Sequence, residues 1–298
     1  MAGLDPATQP ARVHARERII RAPIRQKSVL SLFGPFWGNG MSIDTLVGLL
    51  ILVTFVLMLA VELIAPARSF DHTRAWVAIG IGFFVLGFVI NGLVPLLVPV
   101  EWVQQHALID GTGLGVVAGT VVGVVASDFV NYWIHRAEHK FNFLWRWFHQ
   151  MHHSPARVDI PGSLYFHPFD TIQFTAFGIV VNMLVLGLDP RAVALAGYGA
   201  AFMGMFQHWN IRTPYWLGYI IQRPEAHYRH HERDVHAFNY ANLPFWDMLF
   251  GTFYGPREVV ADLKGRTGFE DHRRTRFLAM LFGRDVHADT PAFTHFDR

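Results

Sequence analysis

The chain has no cysteine. That excludes disulfides, thiolate metal sites, iron–sulfur clusters and cysteine nucleophiles together. Charge is scarce too: 16% of the 298 residues are charged, against about 25% in an average soluble domain. The formal net charge of +2 is too small to mark a nucleic-acid surface, so no nucleic-acid partner is expected. Neither the HExxH helix of a hydrolytic zinc site nor the Glu-x-x-His pair of ferritin-like di-iron bundles occurs. What remains is apolar: 52% of the residues are hydrophobic and the mean hydropathy is +0.25. This is the composition of a multi-pass integral membrane protein.

Residues 42–65 are apolar apart from Asp44 and Glu62, long enough to cross about 30 Å of hydrocarbon. Residues 76–100 are apolar too, but Gly87, Asn91, Gly92, Pro95 and Pro99 interrupt them. A third run, 113–134, ends in DFVNYWIH. Runs at about 172–188 and 191–207 are separated by GLDPR, a tight turn. Residues 1–40 carry six Lys/Arg against Asp5 and Glu17, with no apolar segment and cleavage site of a secretory signal. They read as a basic cytoplasmic arm on anionic lipid.

Sixteen of the 25 Lys/Arg lie in 135–169 and 208–298, which places both histidine-rich regions and the N-terminus on the cytoplasmic side. Three full spans before His135 would put it on the wrong face, so 76–100 is expected to be a re-entrant or interfacial hairpin. The expected architecture is an all-α membrane bundle of about four spans plus that hairpin, with a cytoplasmic helical cap. It divides into the arm 1–40, a membrane-embedded catalytic domain 41–254 and a cytoplasmic tail 255–298. Within the tail, 273–284 reads as a helix lying either in the headgroup plane or on the protein.

The stretch HRAEHKFNFLWRWFHQMHH holds His135, His139, His149, His152 and His153; HYRHH adds His227, His230 and His231, and FQHWN adds His208. On helices, spacings of three and four residues place imidazoles on one face. A lone histidine beside apolar residues is usually structural; eight in three spaced clusters point to metal. One metal takes about four such ligands, so nine candidates imply two. Imidazole suits zinc, copper, iron and nickel alike; oxygen chemistry at open positions favours iron first and copper second. A metal transporter or sensor would need polar residues along the spans, and Asp128 stands almost alone there. Asp128 lies seven residues before His135, on the same helical face, and is expected to hydrogen-bond a ligand imidazole.

The segments DFVNYWIHRAEH, FLWRWFHQMHHS, FHPFD, FQHWN and HYRHHERDVHAFNYANLPFWDMLFGTF, all between Asp128 and Phe253, resemble the fatty acid hydroxylase/sterol desaturase superfamily of integral-membrane di-iron enzymes. The resemblance implies two Fe ions and O2 as cosubstrate, hydroxylating or desaturating a C–H bond of a membrane lipid such as a fatty acyl chain, sphingolipid or sterol. Alkylglycerol ether monooxygenase and carotenoid hydroxylase-like enzymes are the alternatives. It carries the metal-ligand role onto His135, His139, His149, His152, His153, His227, His230 and His231, and onto His208, where the family has a further histidine after its transmembrane hairpin. Some relatives have another four residues on; here that position is Arg212. His167 and His236 are candidates to complete the set or act beside it, with Asp128 as a third catalytic candidate. Asn239 and Tyr240 match the family's Asn-Tyr, but Ala241 replaces the following glycine. With no HPGG motif of a fused cytochrome, electrons are expected from a separate ferredoxin, rubredoxin or cytochrome b5 type protein.

Overall fold

The computed structural model describes residues 42–233, 235, 237–257, 260–269 and 276–286. Their regular elements are all helices, and only two isolated bridges, Ser69 with Asp262 and Glu232 with Thr267, have strand pairing. Helix α1 (Ile43–Ile64) begins at Ser42, whose hydroxyl accepts the Thr45 N–H at 3.1 Å, with Asp44 in the first turn. Cap and acid both satisfy the positive end of the helix.

Residues 76–100 do not form the expected hairpin. Trp76–Leu97 is one continuous helix of 22 residues, α2. In lipid the main chain has no other partner for its N–H and C=O groups, so the helical ladder survives the glycines. Asn91 is satisfied locally: it donates to the Gly87 carbonyl at 2.8 Å and accepts from the Thr175 hydroxyl at 2.6 Å. Pro95 stands in the last turn, where the one ladder bond it removes comes two residues before the helix ends.

The short α3 (Val100–Gln105) leads to α4 (Gly115–Lys140), preceded by a 3-10 turn at Gly111–Leu114. Next come α5 (Asn142–Leu144), a π turn at Trp145–His149 and α6 (Gln150–His153). Helix α7 (Pro168–Ile179) runs into a second π turn, Val180–Val185, and α8 (Pro190–His208) returns. The cap adds α9 (Pro224–His230), α10 (Pro244–Phe250) and α11 (Phe277–Leu281).

Among the described residues four segments are long and apolar enough to cross a membrane: Ile43–Ile64, Trp76–Leu97, Gly111–Lys140 and Pro168–Val185. The number matches expectation, but α2 takes the place of the run at 191–207. That run became α8, a helix rich in Gly and Ala that packs along α4 and α1. A Cβ on Gly123 of α4 would lie 2.6 Å from Asn182 Oδ1 and 3.1 Å from the Ala196 methyl. Small residues let backbones approach closely where lipid offers no hydrophobic drive. Outward-facing Leu57, Leu97 and Val117 are exposed, as suits helices solvated by acyl chains. The chain is an integral membrane protein.

The cap is clamped onto the bundle by buried carboxylates. Glu62, in the last turn of α1, accepts the N–H groups of Ile160 and Asn210, both at 3.0 Å. Asp159 accepts from Trp76 Nε1 at 2.8 Å and pairs with Arg157 at 2.6 Å. Arg68 pairs with Glu225 at 3.0 Å, both buried. Of the tail segment 273–284, the part described packs on the protein: Met280 is buried with Trp145 and Met151.

Candidate metal centre

All nine expected histidines are buried and converge in two groups. His135, His139, His149, His153 and His230 form one; His152, His208, His227 and His231 form the other. The partition follows helix geometry. Residues four apart stack on one face, so His135/His139, His149/His153 and His227/His231 each stay together. The histidines three apart do not stay on one face as expected, and the middle one of each HxxHH motif crosses over: His152 joins His227/His231, and His230 joins His149/His153. The groups meet where the rings of His153 and His231 stack, 4.1 Å apart at 14°.

Proton positions follow from fixed acceptors. His135 Nδ1 lies 2.7 Å from the Tyr240 carbonyl, His208 Nδ1 2.7 Å from the Gly204 carbonyl and His230 Nδ1 2.8 Å from the Phe238 carbonyl. A carbonyl only accepts, so each Nδ1 carries the proton and each Nε2 offers a lone pair. The Nε2 atoms face one another. That of His208 is 3.1 Å from His152 Nε2 and 3.2 Å from those of His227 and His231. His149 Nε2 is 2.9 Å from His135 Nε2 and 3.0 Å from His153 Nε2. Metal–nitrogen bonds of about 2.1 Å place neighbouring ligand nitrogens roughly 3.0 Å apart at right angles and roughly 3.4 Å apart in a tetrahedron. The donor set fits two cations.

Burial, and then the neighbouring imidazoles, hold His152, His153, His227 and His231 well below the ordinary histidine range. They are neutral ligands at physiological pH. The unfolded chain takes up protons below about pH 6.5 that the folded one refuses, so stability falls as pH drops through that value. The midpoint of thermal unfolding of metal-free protein should therefore be lower at pH 5.5 than at pH 8. Equal midpoints would contradict the burial of these rings as neutral bases.

The loop after α9 supplies two of the three carbonyls. Phe238 and Asn239 both have positive φ, 71° and 54°, a conformation costly for residues other than glycine. Asn239 holds it by donating to the Ala226 and Tyr254 carbonyls and accepting the Tyr254 N–H. Ala241, in place of a glycine, is not in the positive-φ region. Asp247 accepts the N–H groups of Tyr240 and Ala241 at 2.8 and 2.9 Å, and burial pushes its carboxyl up to about 6.

Asp128 does not reach a histidine, contrary to expectation. Its oxygens accept the Asn242 N–H at 3.0 Å, the Asn242 side-chain amide at 2.9 Å and the Leu243 N–H at 2.8 Å. The loop lies between this carboxylate and the imidazoles, so Asp128 acts on His135 through backbone. Asp128→Asn sets an NH2 group where a carboxylate oxygen accepts an N–H and should loosen that loop. Metal affinity is expected to fall about 10–100-fold with helix content kept, as read by chelator competition; unchanged affinity would make Asp128 a helix-packing residue only.

His167 is also placed differently. It caps α7, accepting the Phe169 N–H at 3.1 Å, and its other nitrogen donates to the Leu281 carbonyl at 3.1 Å. Both nitrogens are spent away from the clusters. His236 lies outside the described residues. Two carboxylates that the sequence reading passed over stand at the site: Glu138 on α4 and Asp170 on α7, both next to His149. The available signal was an acid inside the first histidine motif, and another in FHPFD. A segment of the tail braces both HxxHH motifs, with Gly268 donating to the His231 carbonyl and Phe269 to the Ser154 carbonyl.

Residues 120–252 match the model of the fatty acid hydroxylase family, described as "Fatty acid hydroxylase". The match falls short of half the chain and marks this segment as similar to that family. Both histidine clusters lie wholly within the matched residues. The chain is similar to the ornithine lipid hydroxylase OlsE of Rhizobium tropici, 35% identical over 50% of this chain and 45% of that protein. It is also similar to the very-long-chain aldehyde decarbonylase GL1-9 of Oryza sativa subsp. indica, 29% identical over 50% of this chain and 58% of that one. Sphinganine C4-monooxygenase 1 of Arabidopsis thaliana is 27% identical over 45% and 53%. The chain thus spans about half the length of the curated relatives it matches. No solved structure matches it significantly.

Proposed function

We propose that this protein is a di-iron, O2-dependent hydroxylase of a membrane lipid. The observation that carries the reading is the division of nine buried imidazoles into two groups whose ligand atoms lie within 4.8 Å of one another, with the nearest Nε2 pairs 2.9–3.2 Å apart. His135, His139, His149, His153 and His230 would hold one iron; His152, His208, His227 and His231 would hold the other. The irons, when bound, would supply oxygen activation, inserting one oxygen atom into a C–H bond while the other is reduced to water.

The chain's own contribution is geometric. Carbonyls of Gly204, Phe238 and Tyr240 fix the imidazole tautomers, and burial excludes bulk water from the site. The apolar bundle keeps an acyl chain in lipid while its reactive carbon reaches the cap. Relatives named as hydroxylases of ornithine lipid and sphinganine support a lipid carrying a polar headgroup as substrate. Electrons would come from a separate ferredoxin, rubredoxin or cytochrome b5 type protein, and the skewed Lys/Arg distribution supports a cytoplasmic cap.

The test is metal analysis and product formation on full-length protein expressed with iron. About two irons per chain are expected, with oxygen from isotopically labelled O2 appearing in a hydroxylated membrane lipid. One tightly bound zinc per chain and no oxygen uptake would overturn the reading.

A further inference from the structure

We infer that Glu138 and Asp170 are positioning residues that act through His149 and make the five-histidine cluster the tighter of the two metal sites, an inference resting on the two-metal reading above. His149 is used from both sides of its ring. Its Nε2 faces His135 and His153 within the cluster at 2.9 and 3.0 Å. Its Nδ1 lies 3.5 Å from Glu138 Oε2 and 3.5 Å from Asp170 Oδ2. Both carboxylates are 0% exposed, and they come from different helices.

Their surroundings set them apart from the other buried acids. Glu62 and Asp128 are met by backbone N–H groups, Asp247 by two N–H groups and a hydroxyl, and Glu225 and Asp159 by arginines. Glu138 takes one amide, from Gln173 at 2.5 Å. Among the described residues no Lys or Arg pairs with Glu138 or Asp170, and Glu138 Oε2 and Asp170 Oδ1 have no hydrogen-bond partner. Buried carboxylates so poorly compensated are expensive unless a positive charge stands nearby. The nearest place for one is the metal position on the far side of His149. A carboxylate behind a ligand imidazole raises its basicity and locks its orientation.

The four-histidine cluster lacks this feature. His208 Nδ1 rests on the Gly204 carbonyl, and the Nδ1 atoms of His152 and His227 have no hydrogen-bond partner among the described residues. The two sites should therefore release metal at different chelator concentrations.

The experiment is an EDTA titration of full-length protein loaded with cobalt(II), read as equivalents retained and as visible absorption. Wild-type protein should release its two ions in two stages. Glu138→Gln and Asp170→Asn should move the late stage to about 10–100-fold lower chelator and leave the early stage in place. Gln173→Leu, which removes only the amide on Glu138, is a milder variant expected to shift the same stage less. Asp159→Asn is the control for losing a buried carboxylate that touches none of the nine histidines; it should leave the spacing between the two stages as in wild type. Equal loosening of both stages in the Glu138 and Asp170 variants would reduce these residues to structural ones and overturn the inference. A third wild-type equivalent that Glu138→Gln alone removes would also overturn it, since the carboxylates would then be ligands. Fewer than two equivalents in wild type would defeat the two-metal reading itself, whereas two equivalents leaving together would defeat only the inference.

Discussion

His152→Ala is expected to cost the four-histidine cluster its metal while the other cluster keeps its own, and to abolish lipid oxidation. His152 Nε2 stands 3.1 Å from His208 Nε2, and its ring is stacked on Phe166 at 4.2 Å. No other imidazole can swing into that place from a packed helix. Removing a group that merely supports a ligand costs about 10–100-fold in affinity; removing the ligand should exceed that. His167→Ala is the comparison. It removes an N-cap acceptor, worth about 0.5–2 kcal/mol, and should leave both metals in place. Metal content and product formation at matched membrane expression decide the matter: full metal and full turnover in His152→Ala would remove the central motif from the site.

The largest stability effect is expected at Gly268. Its φ is +68°, and a Cβ there would lie 2.1 Å from the Pro155 carbonyl oxygen and 2.3 Å from the carbonyl carbon. Those are backbone atoms directly after the motif ending in His153, so neither can give way cheaply. A left-handed residue other than glycine costs about 1–2 kcal/mol before any clash. Gly268→Ala should therefore destabilise by several kcal/mol and loosen metal as well, because Gly268 and Phe269 tie the segment to His231 and Ser154. Gly265 isolates the conformational part: its φ is +66°, with nothing within 4 Å of its Cβ position. Gly265→Ala should cost only about 1 kcal/mol. If thermal inactivation of membranes shows the two variants alike, Pro155 is not the obstacle.

Much of the site was legible in sequence because its code is local. Histidines one turn apart share a helix face wherever the helix goes, so the clustering of each motif could be read directly, although spacing alone keeps His152 with His149 and His153, and His230 with His227 and His231, which the structure separates. The apolar runs that became α1 and α4 were equally plain, since crossing hydrocarbon requires an uninterrupted run. The errors fell where the outcome depends on surroundings. Gly and Pro argued for a break within 76–100, but the helix persists because lipid gives the backbone no competing partner. Asp128 shares a face with His135, yet the loop at 242–243 reaches it first.

By itself, then, the sequence determined a membrane protein, eight histidines in three motifs with His208 beside them, and which of them stand one turn apart, because these depend on composition and on residues within one or two turns. Only the tertiary structure decided that His152 and His230 exchange clusters, that Glu138 and Asp170 meet behind His149, and that Gly268 braces the cap. Each of those is a contact between segments far apart in the chain, and no spacing within either segment encodes where the other will lie.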